Sequence, residues 1–136
     1  MQQTLSLSSR PQDAYRRQNI LTASPIDLII MLYDALLRNI TMGKRGITAK
    51  NVPLAHKHLI KAQMILTELI NSLDMSYEIS EELLELYEYA LKNIADANLQ
   101  KKTEPLEPVT EMIQSIKEAW QQISRDTRGT MSITAE

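Results

Sequence analysis

The 136 residues, 43% of them hydrophobic, suffice for one domain with a real core and are too few for two. A formal net charge of -2 and a sequence pI of about 5.7 exclude the overall basic excess of a nucleic-acid binder and the acidic excess of a disordered tail. The lack of Cys excludes disulfides and thiolate metal sites and fits a reducing cytosol.

Residues 1–23 are polar, hold no sustained period and read as an N-terminal arm that ends at Ser24-Pro25, a helix-start signature. From Ile26 the positions Ile26, Ile29, Ile30, Tyr33, Leu36, Leu37 and Ile40 follow the 3.6 period, and Ile47 carries the stripe to about Thr48 despite Gly43 and Gly46. A turn at Lys50 to Pro53 leads to a second helix, about Val52 to Leu73, with Ala55, Leu59, Ala62, Leu66, Leu69, Ile70 and Leu73 in register. A third helix covers about Ile79 to Asn98 on Leu83, Leu86, Tyr87, Ala90, Leu91, Ile94 and Ala97. Pro105 and Pro108 bracket the start of a fourth, striped by Val109, Ile113, Ile116, Trp120 and Ile123. Nothing alternates with period two. The pattern predicts an all-α, antiparallel four-helix bundle over residues 24–125, with the flexible arm before it and a disordered tail at 126–136.

Charge is divided unevenly. Residues 1–62 carry 9 Lys/Arg against 3 Asp/Glu, and residues 63–136 carry 6 against 14. Antiparallel packing would set the basic half against the acidic half, so the pattern predicts ion pairs across the bundle rather than a nucleic-acid patch. Glu78, Glu81, Glu85 and Glu88 form a solvated acidic face on the third helix.

No residue pattern encodes catalysis or a cofactor. His56 and His58, the only histidines, point about 200° apart on a helix and cannot share a metal. No Glu precedes a His by three residues, which excludes the carboxylate-bridged metal bundles. Gly43, Gly46 and Gly129 build no phosphate-cradling loop, and no Ser or Thr sits in a nucleophile elbow. The longest apolar run, Leu28 to Tyr33, is far short of the roughly 20 residues that span a bilayer, and the first residues lack an apolar signal core, so no membrane insertion is expected. A second reading rests on His58-Leu59-Ile60-Lys61-Ala62, which resembles the phosphoacceptor segment of histidine phosphotransfer domains. There an exposed imidazole is the nucleophile and a Lys one turn on steadies the phosphoryl charge. Here Gln63 and Met64 follow, where those domains usually continue with small and apolar residues.

Apolar surface is in excess on the first helix, where Leu28, Met31, Leu32 and Ala35 lie beside the main stripe. These residues either widen a core closed by the arm or form a groove that takes a partner helix in the arm's place.

The segments Tyr15-Arg16-Arg17-Gln18, Thr22-Ala23-Ser24-Pro25, Leu28, Met31-Leu32-Tyr33-Asp34, Lys61-Ala62, Glu68-Leu69, Ser72-Leu73-Asp74, Leu86-Tyr87, Ala97-Asn98 and Ala119-Trp120 resemble, in order and spacing, the flagellin-specific export chaperones of bacteria. The resemblance spans about Ala14 to Ile123. It implies a cytoplasmic helical bundle that binds the disordered C-terminal segment of flagellin, prevents premature polymerisation and delivers the subunit to the flagellar export apparatus without catalysing a reaction. By similarity, Tyr15, Gln18, Leu28, Met31, Leu32 and Tyr33 belong to or adjoin the flagellin-binding surface, no cofactor is involved, and an export-gate protein or co-chaperone is a further partner of a monomer or weak dimer. Tyr33, Tyr87 and Trp120 also suit purely structural roles. The Gly-containing basic stretch from Gly43 to Asn51 departs from the family pattern and predicts a loose first turn.

Overall fold

The computed structural model describes residues 25–135. They form four helices and no strand: α1 (Pro25–Thr48), α2 (Val52–Asn71), α3 (Glu78–Gln100) and α4 (Leu106–Ala135). The short connections make sequential neighbours antiparallel. Contacts between α1 and α4 close the ring, and they include the ion pairs Lys44–Glu107 (2.8 Å) and Lys117–Asp34 (2.5 Å). The first joins the basic half of the chain to the acidic half, and the second runs in the opposite sense. The α3 carboxylates Glu78, Glu81, Glu85 and Glu88 are exposed.

The first turn is tight rather than loose. Lys50 takes a left-handed φ of 58°, its N–H bonds the Ile47 carbonyl, and the Asn51 N–H reaches back to Gly46 at 2.8 Å. This is the double bond pattern of a Schellman cap, with Lys where Gly is usual. Asn51 then caps α2 by accepting from the Leu54 N–H at 3.2 Å. Lys101 ends α3 in the same way, at φ 54° with Lys102 N–H on the Ala97 carbonyl. The two early glycines stop nothing. A Cβ on Gly46 would stand 2.6 Å from the Ala55 backbone nitrogen, and one on Gly43 would stand 2.5 Å from Leu59 Cδ2. Both therefore exist to let α1 and α2 approach closely.

Tyr33, Leu36 and Ile40 of α1, Leu59, Leu66 and Leu69 of α2, Leu83, Tyr87 and Ile94 of α3, and Leu106, Val109 and Ile113 of α4 make the core. Apart from Leu106, which precedes the predicted fourth stripe, these are positions that the 3.6 period selects. Leu86, part of the predicted α3 stripe, is instead 36% exposed. The backbone of 126–135 also differs from the predicted tail, because α4 continues to Ala135. No Pro interrupts that stretch, and Gly129 alone costs a helix only about 1 kcal/mol.

Candidate functional site

α3 and α4 pack less extensively on each other than the other neighbouring pairs do. Near their turn, Asn93 Nδ2 donates to the Pro105 carbonyl at 3.2 Å, which marks the α4-facing flank of α3. Leu86 and Ile79 lie two and four turns earlier on that flank. They remain 36% and 53% exposed, so α4 does not cover them. The α4 stripe surfaces in step: Val109 and Ile113 are buried, Ile116 and Trp120 half-buried, and Ile123 45% exposed.

The divergence opens a cavity of about 310 Å³ at the end of the bundle where α1 begins. Its apolar lining comes from all four helices, through Ile29, Leu69, Ile79, Leu83, Tyr87 and Trp120, with Leu73 and Tyr77 added from the α2–α3 connection. Ser72, Asp74 and Ser80 supply the polar part. The connection is fixed by its own hydrogen bonds. Asp74 Oδ1 accepts from the Ser76 N–H (3.0 Å) and hydroxyl (2.7 Å), which holds its carboxyl below the usual carboxylate range, and the Ser80 hydroxyl donates to the Asp74 carbonyl at 2.6 Å.

Beneath the groove, the hydroxyls of Tyr33 and Tyr87 share a hydrogen bond of 2.6 Å, and Trp120 Nε1 approaches the Tyr33 oxygen at 3.4 Å. Burial raises the pKa of both phenols, outweighing the lowering effect on Tyr33 of its bonds to Tyr87 and Trp120. Both stay neutral and serve as a rigid floor. Ser72, Asp74 and Ser80 are engaged in local hydrogen bonds and the rest of the lining is apolar, which suits the groove to the capture of apolar side chains. Among the described residues no group of three His, Asp or Glu could hold a metal, and no described helix is long and apolar enough to cross a membrane.

The residues expected at a binding surface divide. Tyr33 is wholly inside, on the groove floor. Leu32 is half-buried and packs against the core. Leu28, half-buried, sits three turns before Asn39, whose bond to His58 marks the α2 side of α1. Met31, 38% exposed, lies on the outer face beside it. Leu28, Met31 and Leu32 therefore do not line the groove. Tyr15 and Gln18 lie outside the described residues. Sequence periodicity did not single out Ile79, Leu83, Tyr87 and Trp120 as a site, yet the matched segments Leu86-Tyr87 and Ala119-Trp120 converge there.

The family model of flagellar protein FliS matches residues 8–127. The chain belongs to the FliS family. Its relatives include the flagellar secretion chaperone FliS of Bacillus subtilis (strain 168), 30% identical over 118 residues, 87% of this chain and 89% of that one. The flagellar secretion chaperone FliS of Vibrio cholerae is 32% identical over 103 residues, 74% of this chain and 76% of the relative. The crystal structure of a bacterial flagellar chaperone superposes with a TM-score of 0.72 over 86% of this chain and 99% of that one, and at 16% identity it shows the shared fold. Membership places this FliS-family chain among chaperones of flagellar export.

The phosphotransfer reading is not supported. It requires an exposed imidazole, whereas His58 is half-buried and its Nδ1 bonds Asn39 Oδ1 at 2.9 Å. Burial, then the charges of Lys57 and Lys61, hold its pKa below the ordinary histidine value. His56, on the opposite flank of α2, contacts Asn98 Nδ2 through its Nδ1 at 3.1 Å. The two histidines are helix-to-helix struts.

Proposed function

We propose that this FliS-family protein is a cytoplasmic, non-enzymatic chaperone that binds the disordered C-terminal segment of flagellin, keeps it from polymerising early and delivers it to the export apparatus. The open apolar groove between α3 and α4 carries this reading. A segment that folds on binding can lay an amphipathic helix into the groove, with one bulky side chain anchored over Tyr87 and Trp120. In this reading the segment continues around the bundle to Leu28, Met31 and Leu32 on the α1–α2 side, with Tyr15 and Gln18 as further contacts, while Tyr33 supports the groove from below.

Calorimetric titration of the full chain with the C-terminal segment of flagellin from the same bacterium tests this. One-to-one binding with a negative heat-capacity change, accompanied by a change in the emission of Trp120, the single tryptophan, is expected. No heat at several temperatures, with the bundle folded by circular dichroism, would remove flagellin as the client.

A further inference from the structure

We infer that the outer face of α1 and α2 near their shared turn is a second docking surface, and that it takes an amphipathic helix of another protein whose apolar stripe is flanked by carboxylates. Three contacts fix the register of these helices: Gly46 against Ala55, Gly43 against Leu59, and Asn39 against His58. In that register Arg38 and Arg45 of α1 stand level with Lys61 and Lys57 of α2, all four exposed. None of the four pairs with a described carboxylate. The nearby acids are engaged elsewhere or distant: Asp34 holds Lys117, Glu107 holds Lys44, and Glu68 lies two turns beyond Lys61.

Lys57 and Lys61 are spaced i, i+4, where like charges oppose helix formation. No described carboxylate offsets that cost. Their field also reaches His58, whose pKa is lowered by burial first and by these two cations next. Met42, half-buried, lies between the cation rows, and Met64, 52% exposed, lies beside the lysine row on its outer side, both apolar side chains that adapt to an incoming stripe. The close approach at Gly43 and Gly46 makes the surface rigid, so little ordering is lost when it is occupied. A helix with apolar side chains over Met42 and carboxylates on both flanks, reaching Met64 with its edge, matches these features. A nucleic acid matches less well, because the surface offers no aromatic to stack on a base and α3 presents exposed carboxylates on the same small bundle.

The surface is separate from the α3–α4 groove and does not rest on the flagellin reading. The test uses the full chain and two labelled synthetic peptides of about 20 residues, one with a leucine stripe flanked by Glu and one with Lys in place of each Glu. One-to-one binding of the Glu peptide, at least about tenfold tighter than the Lys peptide and weakened between about 50 and 300 mM salt, is expected. The double variant Arg45→Glu/Lys57→Glu should lose about tenfold or more, and Lys92→Glu/Lys102→Glu, the same charge change elsewhere, should not. Flagellin-segment binding should survive in Arg45→Glu/Lys57→Glu, which separates this surface from the client groove. Equal binding of the two peptides, or binding indifferent to Arg45→Glu/Lys57→Glu, overturns the inference. Tighter binding of duplex DNA or anionic vesicles, or a salt-sensitive self-association, lost in that same variant, overturns it in favour of a polyanion or a second copy.

Discussion

Tyr33 and Tyr87, 54 residues apart in sequence, meet hydroxyl to hydroxyl at 2.6 Å with their rings edge-on, 6.3 Å between centroids and 77° between planes. The pair bolts α1 to α3 across the bundle. It also fixes the floor on which the groove stands, since Tyr87 lines the cavity and Tyr33 meets Trp120.

Removing one hydroxyl takes from the other its 2.6 Å partner in the core, and Tyr33 then keeps only the longer approach of Trp120 Nε1 at 3.4 Å. Tyr33→Phe or Tyr87→Phe should each lower stability by about 1–3 kcal/mol in urea unfolding. The double variant should cost less than the sum, because neither oxygen is then left without its partner. Additive losses would show that the bond carries no coupling.

The glycines of α1 give an ordered pair of outcomes. Ala is the better helix former by about 1 kcal/mol, so at an exposed position either change to Ala would stabilise. At Gly46 the new Cβ meets backbone at 2.6 Å, whereas at Gly43 it meets the end of the Leu59 side chain. Gly46→Ala should therefore destabilise by about 1–3 kcal/mol and Gly43→Ala by less, as read by thermal or urea denaturation.

Most of the fold was legible in the sequence because each helix carries an uninterrupted 3.6 stripe, and Tyr33, Leu59, Ile94 and Ile113 fall on those stripes and in the core. The site was less legible. Ile79 and Leu86 are wetted only because α3 and α4 diverge, a relation between elements that no single stripe records. Gly43 and Gly46 look like helix stops in one dimension and are close-contact points in three. On the first half of α1, apolar nearly all round, periodicity does not separate Tyr33, which is buried, from Met31, which is not. The end of α4 was missed for another reason: a polar tail without Pro reads the same whether helical or not.

His58 sets an acid limit. Its folded pKa lies below the ordinary histidine value, so the unfolded chain takes up this proton first. Stability attributable to His58 is therefore complete above about pH 6.5, falls as the pH drops through that value, and levels off below the folded pKa. His58→Gln keeps a polar partner for Asn39 without the titration. Its urea midpoint should fall less than that of the parent between about pH 7.5 and 5.5, and equal falls would assign the acid sensitivity to other groups.

On α1, Leu32 and Met31 are adjacent in sequence and opposite in consequence. Leu32 packs against the core, so Leu32→Asp should unfold or severely destabilise the bundle, visible as lost far-UV circular dichroism or a collapsed melting temperature. Met31 is 38% exposed, so Met31→Asp should fold. If the client wraps to this side, Met31→Asp should still weaken the flagellin segment severalfold, and unchanged binding would confine the client to the groove.

The groove itself is tested at its wall, where folding and binding can be separated. Ile79 and Leu86 are exposed on the α4-facing flank of α3, so Ile79→Glu and Leu86→Glu should leave a folded bundle with a melting temperature within a few degrees of the parent. A carboxylate there would be desolvated by any apolar side chain laid into the groove, at a cost of about 1–3 kcal/mol, which corresponds to roughly tenfold to hundredfold weaker binding of the flagellin segment. Ile79 lies at the cavity and Leu86 one step along the furrow, so the two losses report how far the client runs between α3 and α4. A loss at Ile79→Glu alone would restrict the client to a single anchored side chain. Full affinity in both variants, with both folded, would mean that the client does not use this groove.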